Sequence, residues 1–510
     1  MTRFPRPHGW LQWVAVAVGV LVLAVGIAAV VVLTGKPGDV SHPNEEFTAP
    51  AATTATTQPK QPTNPAQPGF EWPFYGYDKQ RTRYLPLQRP IHPPYKRPWN
   101  YRAGALLEFP PVLSSRTLFL LKDDGMLVAI ARKSGHVVWG RRLGFLAAAS
   151  PAVGAGSVYA VILQRKRNIR EGRVVALSFA GRTRWSRKLP SRAESSPLFD
   201  RGTIYFGTEN GTVYALRARD GSVKWSYHAD GAVKGGLAMD YRGHLYFGDY
   251  AGKVYSLHSQ NGHQIWKKTT SGAHFGLSSG QFYATPAVAY GRVYLGNTDG
   301  FVYSYASSSG RLAWRVHTGG YVYGSAAVAQ VPGGRPTVYV GSYDGHFYAL
   351  DARSGRKIWV ANAHGRVSGG AVVIGDTVWF SVLEKQTRAL GARTGQLLFK
   401  INRGQFNPVV SDGERIYLVG HASLTALEPK RNQPAVKKHK KKRHAAKKAH
   451  KRKHHRKRAR LRHQRHHLPR SAVVCFKSGG KTHCRHRKPY RCYKSHGHTK
   501  CHAIRRKHKR

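Results

Sequence analysis

The chain has 510 residues, 41% of them hydrophobic, which leaves room for two or three average domains or one large repeat array with tails and excludes a miniature disulfide scaffold. Its 83 Lys and Arg against 24 Asp and Glu give a formal charge of +59, and 33 of those basic residues, with no acid, lie between Pro429 and Arg510. Fixed charge of this size calls for a polyanionic neighbour such as nucleic acid, anionic lipid or an acidic wall polymer, and says nothing about catalysis.

Residues 1–12, with Arg3 and Arg6, precede an unbroken apolar and small-residue run from Trp13 to Leu33. As a helix at roughly 1.5 Å per residue the run would extend about 31 Å, enough to cross a bilayer, so residues 13–34 are expected to form one transmembrane helix. The run is long for a signal peptide and Thr34-Gly35-Lys36 is a poor small-residue cleavage site, which favours an uncleaved signal-anchor. Beyond it come Asp39, Glu45 and Glu46, so the positive-inside bias places residues 1–12 in the cytoplasm and the rest outside, in a single-pass cell-membrane protein. All four cysteines lie beyond residue 474, so no lipobox accompanies the run. Residues 35–69 hold seven prolines among many Thr, Ala and Gln, the composition of a disordered stalk.

Within a domain expected over residues 70–428, the chain repeats itself from residue 99 to 428 every 40 to 48 residues, marked by Trp99, Trp139, Trp185, Trp225, Trp266, Trp314, Trp359 and Phe399. Each unit alternates short β-rich runs with two turns, as in Val338 to Trp359, where Asp344-Gly345 and Ser354-Gly355 separate the runs. An inner strand near a Pro-Ala-Val run, two hairpin strands and an outer strand bearing the Trp make a four-stranded antiparallel blade. The first unit starts with a lone Trp strand at Trp99 and the last, Arg415 to Leu427, has no Trp strand after it, so the two fragments are expected to complete one blade. The fold expected is therefore an all-β, eight-bladed β-propeller closed by pairing of its N- and C-terminal segments.

The stretches Tyr205 to Trp225 and Tyr339 to Trp359 resemble the repeat of the pyrroloquinoline-quinone (PQQ) family, and Trp72-Pro-Phe-Tyr-Gly-Tyr-Asp-Lys-Gln-Arg-Thr is similar to a lead-in common there. The resemblance implies the eight-bladed fold but leaves activity open. The family holds PQQ-dependent alcohol and glucose dehydrogenases beside non-enzymatic members such as the outer-membrane barrel assembly lipoprotein of Gram-negative bacteria. Those dehydrogenases need calcium, a catalytic Asp and, in several, a disulfide of adjacent cysteines. The propeller here has no cysteine, and Asp124, Asp220, Asp299 and Asp344 are turn residues. The sequence therefore favours a non-enzymatic binding or assembly scaffold with no cofactor, no catalytic residue and no metal site. A quinoprotein dehydrogenase using PQQ with calcium is the alternative, and a sensor of a small envelope ligand the second alternative.

Repeat register says where a ligand site would lie. The position three residues before the inner-strand Pro reads Glu108, Ala148, Glu194, Lys234, Tyr283, Tyr323, Val367 and Gln405 around the ring. Its polar and aromatic members, Glu108, Glu194, Lys234, Tyr283, Tyr323 and Gln405, are the candidate ligand or cofactor residues at one channel mouth.

Residues 429–470 are rich in Lys, Arg and His and nearly free of apolar residues, which predicts a disordered polycation binding anionic envelope polymers, lipids or nucleic acid by counterion release. Residues 471–510 hold Cys475, Cys484, Cys492 and Cys501 in a duplicated Cys-(Phe/Tyr)-Lys-Ser motif. Four cysteines allow three pairings, of which Cys475 with Cys484 and Cys492 with Cys501 is preferred. An unidentified protein partner is expected on a propeller face.

Overall fold

A computed structural model describes residues 14, 17–26, 38–48, 71–270, 280–430 and four strands between 473 and 503. Residues 17–26 are helical, and no helix of the described residues is long and apolar enough to cross a membrane. The remainder of the expected span, and residues 431–470 of the expected basic arm, lie outside the described residues.

The repeat folds as eight antiparallel blades whose innermost strands lie side by side. One blade runs Leu198–Asp200, Thr203–Gly207, Thr212–Arg217 and Val223–His228. Thr203–Gly207 is buried on both faces, whereas Val223–His228 alternates toward solvent, because only the outer strand has an open side. The Trp and Gly of the repeat are one device. Trp139 Nε1 donates to Phe179 O of the next blade at 2.8 Å, and six other outer-strand tryptophans make the same bond at 2.9–3.0 Å. Under each ring sits a turn glycine of the next blade: Gly135 has φ 74° and a Cβ there would lie 2.5 Å from the Trp99 ring, so both conformation and space demand glycine. Phe399 has no N–H to give, and Tyr95 packs edge-on against it at 5.0 Å.

The ring closes as the two sequence fragments predict. Asn100–Arg102 pairs antiparallel with Ser423–Pro429, in register Thr425 with Asn100 and Leu424 with Tyr101. Asn100 Oδ1 also accepts from Thr425 Oγ1 at 2.6 Å. The lead-in segment does more than precede the ring. Glu71–Trp72 pairs with Val112–Ser114. Beyond it, the carbonyls of Pro73, Lys79, Gln80, Thr82 and Arg83 accept backbone N–H groups from Val153, Met239, Val288, Val328 and Val373, on the innermost strands of five different blades. A segment bonded in turn to strands all round the ring crosses its axis, so residues 73–85 plug the channel.

Two arginines anchor the plug, both fully buried and both with positive φ, 57° at Arg81 and 54° at Arg83. Arg81 donates to the carbonyls of Tyr75 (2.5 Å), Leu237 (2.8 Å), Pro197 (3.1 Å) and Ser196 (3.2 Å). Arg83 Nη1 donates to Arg81 O at 2.8 Å, and its guanidinium lies 4.7 Å over the Tyr75 ring. Asp78 accepts from Thr82 N at 2.8 Å and from Thr82 Oγ1 at 2.5 Å, which fixes the plug's turn. A buried cation is held when its donors are satisfied by carbonyls in place, as those of Arg81 are.

Residues 38–48 correct the expectation of a plain spacer over 35–69. Val40–Ser41 pairs antiparallel with Leu312–His317, adding a fifth strand to that blade's outer edge. The buried Arg292 side chain donates to the carbonyls of Pro43, Glu45 and Glu46, and Phe47 packs on Tyr290 at 5.7 Å. Composition alone cannot anticipate this, because the anchoring donors come from a strand some 250 residues away.

Residues 432–510 form a separate unit. In it Val473–Ser478 pairs with Lys481–His486 and Tyr490–Ser495 with His498–Ala503. The backbone register sets Cys475 opposite Cys484 and Cys492 opposite Cys501.

Candidate functional site

Above the plug the channel opens into a cavity of about 250 Å³ with Tyr75 among its lining residues. Five of the six candidates line it: Glu108, Glu194, Lys234, Tyr283 and Tyr323. Gln405 does not, which corrects that assignment; its Oε1 meets His421 Nδ1 at 2.6 Å, and Phe406 and Asn407 line the cavity from that blade instead. Among the positions of the same register set aside for their side chains, Val367 is fully buried, its methyls against Gly341.

The mouth is polarised. On one side lie Glu108 and Glu194, backed by Asp123 and Glu209; on the other lie Tyr250, Tyr283, Tyr323 and Tyr343. The acids stand on or just before the first and third blades of the ring, and the tyrosines on or just before the fourth to sixth. The tyrosine rings adjoin at 6.3 Å (Tyr250–Tyr283), 6.1 Å (Tyr283–Tyr323) and 4.8 Å (Tyr323–Tyr343), with interplanar angles of 50°, 79° and 53°. They form a curved wall, not a parallel stack. Lys234 sits at the seam, with Nζ 2.6 Å from Glu194 Oε1, 3.2 Å from Glu209 Oε1 and 5.1 Å over the Tyr250 ring.

Burial governs the charge states. It raises the Glu108 carboxyl from 4.5 to about 7, helped by Asp123 and Glu194 and opposed by Lys234. Burial likewise raises Asp123 to about 6, against the backbone N–H of Glu108 that Asp123 Oδ1 accepts at 3.3 Å. For Lys234, burial favours the neutral amine, but Glu194 and Glu209 outweigh it and hold the proton on the ammonium, while burial raises the Glu194 carboxyl against the pull of Lys234. Burial and the Glu194 carboxylate push the Tyr250 and Tyr283 phenols up, so both remain protonated donors.

Sequence reasoning missed Tyr75, Phe109, Tyr250, Tyr343, Phe406 and Asn407. A signal for two of them existed: Tyr250 and Tyr343 occupy the residue just before the first hairpin turn, the position that in earlier units reads Asp123 and Glu209. The turn role given to four aspartates holds. Oδ1 of Asp124, Asp220, Asp299 and Asp344 accepts the backbone N–H two residues on at 2.9–3.1 Å.

A calcium-held quinone can be tested against the donors present. Calcium takes six to eight oxygens. Asn407 Oδ1 already accepts from Tyr75 Oη (3.0 Å) and Gly370 N (3.2 Å), and its Nδ2 donates to Glu108 O at 2.8 Å. Glu194 is paired with Lys234, whose ammonium stands where a metal bound to that carboxylate would be. The donor set does not fit, and among the described residues no group of three or more His, Cys, Asp or Glu is placed to hold a metal ion.

Fold and repeat define an eight-bladed propeller of PQQ-like repeats, and comparison with known proteins narrows the class. The family model described as outer membrane protein assembly factor BamB matches residues 123–279 and 231–436, more than half of the chain, and the chain belongs to that family. BamB of Nitrosomonas eutropha is 30% identical over 121 residues, 24% of this chain and 28% of that protein. The chain spans less than a third of the length of the curated relatives it matches. The crystal structure of BamB from Moraxella catarrhalis superposes with a TM-score of 0.54 at 17% identity, over 66% of this chain and 100% of that one. A quinohemoprotein alcohol dehydrogenase from Pseudomonas putida superposes with a TM-score of 0.59 at 13% identity, over 71% and 81%. Likenesses at such identities show the fold alone.

Proposed function

We propose that this chain is a non-catalytic envelope scaffold of the BamB type, its propeller presenting a rigid face to protein partners and its basic tail holding anionic wall polymer or lipid. The observation that carries the reading is the mouth itself. The group a quinoprotein would use there is already tied within the protein, Glu194 to Lys234 and Asn407 to Tyr75, Gly370 and Glu108. Membership of the BamB family supports an assembly role, and loops from many blades on one rigid ring suit it. In this reading residues 13–34 anchor the chain with its propeller and tail outside the cytoplasm, and each C-terminal hairpin is bridged between its facing cysteines.

The test is titration of the full chain with PQQ and calcium, followed by quinone absorbance and a dye-linked alcohol or sugar oxidation assay. Scaffold function predicts neither stoichiometric quinone binding nor turnover; both together would overturn it. For the tail, affinity for a wall polyanion should fall steeply as salt rises from about 50 to about 200 mM, and removal of residues 431–510 should abolish it. A salt-independent affinity would remove counterion release as the cause.

A further inference from the structure

We propose that the channel mouth binds an organic ammonium group, as a free ion or as the end of a lysine-like side chain, between the carboxylate of Glu108 and the wall of Tyr283, Tyr323 and Tyr343. The proposal goes beyond the scaffold reading and stands on the mouth alone.

Three observations carry it. The cavity sets carboxylates on one side and tyrosine rings on the other, and a cation lying between them meets opposite charge on one flank and ring quadrupoles on the other. Lys234 shows that this chemistry works here, because its ammonium already sits 2.6 Å from Glu194 and 5.1 Å over the Tyr250 ring. Glu194 itself is only 8% exposed, so the pair is held inside the mouth rather than on its rim. Glu108, lining the same cavity, forms no ion pair with a described residue. A second ammonium beside Glu108 repeats the arrangement that Lys234 makes with Glu194. An anion is disfavoured, since Glu108, Glu194 and Lys234 together carry one net negative charge when ionised.

Binding of a permanent cation should rise with pH as Glu108 ionises. The charged and titratable groups facing Glu108 are Asp123, Glu194 and Lys234, with Tyr283 alongside and Glu209 behind Lys234. With the carboxyl near 7, affinity should be about tenfold higher at pH 8 than at pH 6.

The experiment is calorimetric titration of the full chain at both pH values with choline, with its neutral isostere 3,3-dimethylbutan-1-ol, with Nα-acetyl-lysine amide and with glucose. Choline or the lysine amide should bind at least tenfold more tightly than the isostere and glucose. Whichever cation binds more tightly identifies the source as free ion or side chain. Glu108→Gln should weaken binding at least tenfold at pH 8 and flatten its pH dependence. Tyr323→Leu should weaken binding and leave the pH dependence in place, with melting of both variants checked by circular dichroism. Equal binding of choline and the isostere, tighter binding of glucose, absence of binding by both cations, or an unaltered Glu108→Gln variant would each overturn the proposal.

Discussion

The Glu108 carboxyl gives the sharpest stability test. Its proton is held more tightly in the folded chain, near 7, than the ordinary value of 4.5 allows. A group shifted upward in this way favours the native state where it is protonated, and that contribution disappears as pH rises from 4.5 through 7. Glutamine is the neutral isostere, so Glu108→Gln should scarcely change stability near pH 4.5 and should stabilise above pH 7. At about 1.4 kcal/mol per pH unit the full difference is about 3 kcal/mol, of which nearly 1 is already present at pH 5. Urea unfolding of variant and parent should therefore show a gain about 2 kcal/mol larger at pH 8 than at pH 5. A gain of about 1 kcal/mol would still agree in sign. Equal effects at the two pH values, or a loss at pH 8, would refute the upward shift of the Glu108 carboxyl.

Arg81→Met should destabilise strongly, because it leaves the carbonyls of Tyr75, Ser196, Pro197 and Leu237 without their donors at about 1–3 kcal/mol each; an unchanged urea midpoint would mean the plug is not structural. Arg81→Lys should fall between the two, since an ammonium keeps the charge but not the planar fork. Phe47→Ala should release residues 38–48 and leave the blade beneath intact. Hydrogen exchange at the amides of His42 and Thr48, which donate to Ala313 O and Tyr290 O, should quicken at least tenfold while that of Arg292–Gly296 stays slow. Loss of protection in both segments would show that residues 38–48, a strap across this blade, support it.

The ring was legible in the sequence because two constraints coincide in each unit. The outer Trp needs a flat glycine turn beneath it in the next blade, so Trp99 with Gly135 and Trp139 with Gly181 repeat together and reveal the period. Closure was legible because a Trp strand without a hairpin and a hairpin without a Trp strand each leave hydrogen-bonding groups to satisfy. The mouth was half legible. Register placed Glu108, Glu194, Lys234, Tyr283 and Tyr323 together, but Gln405 turns to His421, a partner that only the loop's path supplies. The plug and the strap could not be read from pattern. Arg81 looks like a surface residue until the carbonyls of distant blades satisfy it, and 38–48 looks like a spacer until Arg292 supplies its donors.

The charge of the mouth runs against that of the chain, and the reason lies in distance. A formal +59 would favour ionised carboxylates everywhere if charges acted over the whole molecule. Salt screens exposed charges beyond about 10 Å, whereas burial acts at the carboxyl itself. Glu108 and Asp123 are therefore raised to about 7 and about 6 despite the surrounding excess of base. The plug adds to the burial of Glu108, because residues 73–85 bond to the inner strands and Tyr75 lines the same cavity. What the cavity selects is thus set by its two lining acids, the two acids behind them, one lysine and the tyrosine wall. The polyanion binding proposed for the basic tail would work by a separate, salt-sensitive mechanism. A ligand of the mouth and a polyanion on the tail should bind without competing, and titrating one in the presence of saturating amounts of the other would expose any coupling between them.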